Sequence, residues 1–89
     1  MEQFMLPLRI YISATCLVCE HTRELVDQIR TLRPAYPVEL IDLDQQPTAR
    51  PDFVFGTPTY VLGETIIALG NPELSTLLRF LDRAIFTSG

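Results

Sequence analysis

The chain has 89 residues, 47% of them hydrophobic, and carries a formal net charge of -4 with arginine as its only basic residue besides one histidine. That length and apolar content predict one small domain over 1–89 whose core needs no disulfide framework or structural metal. An acidic, lysine-free chain lacks the cationic surface that phosphate backbones and anionic bilayers attract, so neither nucleic acid nor membrane is an expected partner.

The opening stretch, MEQFMLPLRIYIS, has no basic leader, no sustained apolar run and no small-residue cleavage site. No segment approaches the roughly 18 apolar residues of a membrane span. A cytoplasmic protein is therefore expected. Leu8, Ile10 and Ile12 alternate with Arg9, Tyr11 and Ser13, which predicts a strand. After the loop Ser13-Ala14-Thr15 the period changes. Val18, Thr22, Leu25, Val26, Ile29 and Leu32 fall on one helical stripe, opposite Glu20, Arg23, Glu24, Asp27 and Arg30. A helix is predicted from Cys16 to Pro34, where proline stops it.

The run PVELIDL, 37–43, is nearly apolar enough for a central strand. Pro47 and Pro51 then permit only a short helix or turn over 44–56. Strands at Thr59–Leu62 and Thr65–Leu69 meet across Gly63-Glu64, a two-residue loop opening with glycine, which predicts an antiparallel hairpin of the II′ kind. A last helix should start with Asn71 as N-cap, Pro72 in the first helical position and Glu73 at the positive helix end. Leu74, Leu77, Leu78, Leu81 and Ile85 would face the sheet. The order predicts a right-handed strand-helix-strand crossover and a four-stranded mixed sheet with helices on both faces.

The only cysteines, Cys16 and Cys19, form a CxxC at the strand-to-helix turn. Unpaired N–H groups and the positive helix end there favour a thiolate, and such sites bring a cysteine pKa to roughly 3.5–7.5. Positions i and i+3 are neighbours on a helix surface, within reach of a disulfide once rotamers adjust. A staple so local removes little chain entropy, so its purpose would be chemical. CxxC alone is also compatible with two buried cysteines or half a zinc site. The remaining soft ligand, His21, follows Cys19 by two residues, and a rotation of about 200° carries it to the other side of the helix. No metal site is expected within one chain, and His21 is expected to be exposed.

The segment GTPTYVL, 56–62, places Thr57-Pro58 directly before a strand, where a proline without an N–H is tolerated. CxxC at a strand-to-helix turn, threonine-proline before a hairpin, a glycine and a last helix together resemble the thioredoxin superfamily over Leu8 to about Ile85. DQQP at 44–47 with GTPTYVL looks like thioredoxin, and the short length is closer to glutaredoxin and small glutaredoxin-like redoxins. The resemblance implies that Cys16 is the nucleophile and Cys19 the resolving cysteine. It also implies that Pro58 is cis beside the dithiol. Thr57, Pro58 and Gly70, with Leu17 and Val18, would then bind substrate.

Several positions depart from that pattern. Thr15 replaces the aromatic residue before the first cysteine, and Leu17-Val18 replaces glycine-proline or proline-tyrosine. Ile10 stands where thioredoxin has a buried acid, and its lysine would fall near Leu40. Asp42 could move a proton to or from Cys19, although a strand-end carboxylate is expected to be exposed. Ala14 and Thr15 supply no cation for glutathione. Asn71 could offer a backbone N–H to a carboxylate, and Arg50 is the one cation that could swing near, although it reads as a solvated loop residue.

The expected activity is thiol-disulfide oxidoreduction, with the Cys16–Cys19 disulfide as the redox group and no other cofactor. Its partners would be disulfide-containing proteins or small thiols, plus a reductase or thiol donor. A non-catalytic peptide-binding or redox-sensing module and a metal-bridged dimer through two CxxC pairs are the alternatives.

Overall fold

The computed structural model describes the backbone of residues 2–88 and the side chains of residues 5–85. Its elements run β1 (Glu2–Met5), β2 (Leu8–Ile12), α1 (Cys19–Leu32), β3 (Val38–Asp42), a 3-10 turn (Pro47–Ala49), β4 (Thr59–Leu62), β5 (Thr65–Leu69), α2 (Leu74–Arg83) and β6 (Ile85–Ser88). The four-stranded sheet has the order β3-β2-β4-β5. β2 and β3 are parallel, as the crossover through α1 requires, and β4 is antiparallel to both β2 and β5. Gly63 has φ 64 and, among the described residues, no non-glycine residue has positive φ, so Glu64 does not. That excludes type I′, which needs positive φ at both turn positions, and fits the expected II′ hairpin.

Alternation along β2 sorts the core. Leu8, Ile10 and Ile12 pack with Leu25, Val26 and Ile29 of α1, Tyr60 and Leu62 of β4, and Leu77 and Leu81 of α2. Tyr11 packs on the opposite face with Ile41, Val54 and Val61. Both helices therefore cover the same face, and the expectation of helices on both faces is corrected. The second face is closed by the segment after β3, whose prolines allow a single 3-10 turn and bring Val54 into the core at 0% exposure. Arg33 at the end of α1 makes paired hydrogen bonds of 2.9 and 3.0 Å to Asp82 of α2, tying the helices on that shared face. Hydrogen bonding to Arg33 lowers the Asp82 pKa below the usual carboxylate value.

Four further expectations are revised. α1 begins at Cys19 with Val18 as N-cap, so Cys16 lies in the turn before the helix. Val18 and Leu32, at the two ends of the predicted stripe, are exposed. α2 begins after Glu73 as N-cap and ends at Arg83, so Asn71 and Pro72 precede it. Ile85 continues the i+4 spacing from Leu81 but belongs to β6, which pairs antiparallel with β1 in a separate two-stranded sheet. Ile85-Phe86-Thr87 combines β-branched and aromatic residues, which favour strand once a partner is present. Among the described residues, no helix is long and apolar enough to cross a membrane.

Candidate active site

The end of β2 delivers the chain into a turn held by backbone bonds. The Cys16 N–H donates to the Ser13 carbonyl at 3.3 Å, and the Cys19 N–H donates to the Cys16 carbonyl at 3.4 Å. Cys16 and Cys19 are joined in a disulfide with Cα atoms 5.4 Å apart. Cys19 is 4% exposed and belongs to the core shared by both helices, whereas Cys16 is half-buried at its edge. Leu17, between them, is 98% exposed. An apolar side chain in that position gains nothing from the fold.

The Thr57–Pro58 bond is cis. The Thr57 hydroxyl shares a 3.0 Å hydrogen bond with the Ser13 hydroxyl, so the residue whose carbonyl anchors Cys16 also holds the proline turn. Gly70 has φ 84, a conformation that L side chains rarely adopt, and its N–H donates to the Pro58 carbonyl at 2.9 Å. A groove of about 490 Å³ opens along this turn between Phe53, Phe55, Thr57, Pro58, Ile66 and Leu69. No ionisable residue lines it. Among the described residues, neither the Thr57 N–H nor its carbonyl has a partner. The groove therefore offers free main-chain groups between apolar walls, with Phe55 and Leu69 exposed at 87% and 78%.

A larger cavity, about 600 Å³, lies on the Tyr11 face between Arg9, Arg30, Glu39 and Gln46. Neither cysteine lines it. Its cations are already engaged: Arg9 lies 3.8 Å from Glu39, and Arg30 donates to the Val38 carbonyl at 3.3 Å.

The other anticipated residues are placed as follows. Ile10 is fully buried and apolar, so it supplies no acid next to the dithiol. Asp42 is less exposed than its strand-end position suggested, at 21% of its side chain. Its carboxylate lies 3.9 Å from Arg23 and accepts the Asp44 N–H at 2.9 Å. Asp44 in turn accepts the Ala14 N–H, which puts an acid, not a cation, against the loop before Cys16. Arg50 donates to the Val54 carbonyl at 2.9 Å and anchors its own loop. His21 is exposed, 3.4 Å from Glu24. Among the described residues, no group of three His, Cys, Asp or Glu side chains could hold a metal ion.

Ser13, Thr22 and Tyr60 escaped the sequence pattern, and Asn71, expected as a helix cap or backbone donor, acts through its side chain instead. Thr22 and Tyr60 are 0% exposed, and both hydroxyls donate to the Asn71 side-chain oxygen at 2.6 Å. Burial pushes the Tyr60 phenol up to about 12. One signal was available: a threonine within an otherwise apolar helical stripe requires a buried acceptor.

The molecule is thus a small α/β protein carrying a CxxC disulfide at the edge of its core, with an uncharged groove whose Thr57 is hydrogen-bonded to Ser13 of the turn before Cys16. No protein-family model matches the chain, and no curated protein matches it either.

Proposed function

We propose that this protein is a thiol-disulfide oxidoreductase of a thioredoxin-like or glutaredoxin-like kind, reducing disulfides in extended, apolar segments of other proteins. The observation that carries this is the union of a half-exposed Cys16 with a buried Cys19, tied through Ser13 and Thr57 to a groove holding free main-chain groups. A strand-like segment can pair with the Thr57 backbone and set alternate side chains against Phe55 and Leu69. Its disulfide then lies against Cys16, the only one of the pair open to attack. Leu17 and Val18, exposed at 98% and 51%, extend the apolar surface on the dithiol side.

Glutathione is the weaker candidate client. Its carboxylates call for cations or free N–H groups, and the Ala14 N–H is taken by Asp44. The start of α2 carries Glu73, whose charge opposes an incoming carboxylate. A reductase or small-thiol donor must return two electrons after each turnover.

Reduction of insulin, followed by precipitation of its freed chains, tests this directly. The protein with dithiothreitol as donor should accelerate it well above dithiothreitol alone. An equal rate would leave a peptide-binding module without turnover, a reading also favoured by Ile10, which is apolar and lies in the same core as Cys19.

The groove has its own prediction. Phe55→Ser and Leu69→Ser should each raise KM for insulin about tenfold, the loss of about 1.4 kcal/mol of apolar contact. Turnover at saturating substrate and Tm should stay near wild type, because both side chains face solvent. An unchanged KM in both variants would place the substrate elsewhere.

A further inference from the structure

Thr22 belongs to the buried stripe of α1 but carries a hydroxyl, and this O–H donates across the core to Asn71 Oδ1 at 2.6 Å. Tyr60 OH donates to the same oxygen at 2.6 Å. Two donors on one carboxamide oxygen fix which end of the amide is which. The Nδ2 group is turned toward the dithiol side, where it donates to the Val18 carbonyl at 2.9 Å. Val18 is the N-cap of α1, and its side chain makes no capping bond.

The chain neighbour of Asn71 completes the connection. Gly70 N–H holds the Pro58 carbonyl at 2.9 Å. Two consecutive residues therefore grip the two halves of the site, one at the dithiol turn and one at the proline turn. From Asn71 the hydrogen bonds continue through one peptide unit: Nδ2 to the Val18 carbonyl, then the Cys19 N–H to the Cys16 carbonyl at 3.4 Å.

In the oxidised protein the disulfide itself pins residues 16–19. Once it opens, that covalent tie is gone; the local bonds of the turn and the first bond of α1, Thr22 N–H to the Val18 carbonyl at 3.3 Å, remain, and the shorter bond from Asn71 is the one that ties the Val18 carbonyl to another element of the fold. We infer that Asn71 is the positioning residue of the dithiol, keeping the Val18–Cys19 peptide in place so that Cys19 can reclose onto Cys16. The inference rests on the oxidoreductase function proposed above. It concerns the resolving step, which can be measured without any protein client.

The chemistry balances with oxidised glutathione as probe. Cys16 thiolate attacks one glutathione sulfur; a Cys16–glutathione bond forms, and the other glutathione leaves as thiolate. Cys19 thiolate then attacks the Cys16 sulfur, and the second glutathione leaves. The dithiol has lost two electrons, and the glutathione disulfide has gained them. Closure by Cys19 is intramolecular, so its rate reports how well Cys19 is held in reach.

The experiment follows closure of the preformed Cys16–glutathione adduct by quenched-flow and mass analysis, across pH 5 to 10, in wild type, Asn71→Ala and Asn71→Asp. Asn71→Ala removes both the acceptor and the donor. Asn71→Asp keeps an acceptor for Thr22 and Tyr60, replaces the donor to Val18 by an oxygen and adds a charge, so it carries the test if the alanine variant does not fold. The expected result is a plateau rate about tenfold lower in both variants, with the inflection unmoved in the alanine variant and moved to higher pH by the added charge in the aspartate variant. A merely structural role would lower Tm and leave the plateau where it is. Folded variants with wild-type plateaus would overturn the assignment. Wild-type closure without any insulin reduction would instead tell against the proposed client while leaving the role of Asn71 standing.

Discussion

Cys16→Ser is expected to abolish insulin reduction, with a loss of at least roughly a thousandfold, because the one thiol left, Cys19, is buried away from a protein client. Cys16 is half-buried and Cys19 only 4% exposed, so a protein disulfide can reach the first and not the second. In the proposed reaction, attack by the Cys16 thiolate forms a mixed disulfide and releases one client thiolate. Cys19 then displaces the second client sulfur and leaves the pair oxidised. It follows that Cys19→Ser should stop at the mixed disulfide. Incubation with a client would trap a covalent adduct, visible as a band on a non-reducing gel that disappears with dithiothreitol. The asymmetry between the two variants is the informative part. Turnover retained in both, or adducts formed through Cys19 in the Cys16 variant, would contradict the assigned roles. Partner binding that survives Cys16→Ser with no turnover in the wild type would mark a docking module whose thiols act as a passive switch.

What the sequence disclosed and what it hid divide along the range of the interactions. β2, β4 and β5 lie where alternation and the glycine turn placed them, and β3 covers 38–42 of the expected 37–43, because pleat periodicity and turn chemistry are local. The CxxC and the threonine-proline step are short motifs and were legible as such. That the two turns are joined followed only from the resemblance and not from either motif itself: the bond that joins them is a hydroxyl pair, Ser13 and Thr57, 44 residues apart. Asn71 shows the same limit. An asparagine before proline and glutamate reads as a helix cap, yet its amide serves Val18, 53 residues away, and α2 starts beyond it. Ile85 extended a helical spacing that its pairing with Met5, from the far end of the chain, overrode. Amphipathic periodicity shows that a helix has a buried side but not which sheet face receives it. The placement of both helices on the Leu8 face was therefore outside its reach.

The second large effect concerns alkali. Tyr60 is fully buried, its hydroxyl is committed to Asn71, and burial raises its pKa from 10.0 to about 12. Between those two values the folded protein retains a proton that the unfolded chain has released. Stability from this group is therefore complete below about pH 10, falls as pH rises and levels off above about pH 12. A difference of about two pKa units corresponds to roughly 2–3 kcal/mol. Burial also raises the pKa values of Tyr11 and Tyr36, which adds loss of the same sign, so the wild-type curve alone does not isolate Tyr60. Tyr60→Phe does. At pH 8 the variant lacks one buried hydrogen bond and should be less stable by about 1 kcal/mol, with Thr22 still donating to Asn71. Near pH 12 it has no phenolate to bury and should be the more stable of the two. Urea midpoints of the oxidised proteins, taken at intervals from pH 8 to pH 12, should therefore cross. Parallel curves would mean that the Tyr60 hydroxyl is open to water, and the hub that joins Thr22, Tyr60 and Asn71 behind the dithiol would then lack the dry surroundings on which its rigidity depends.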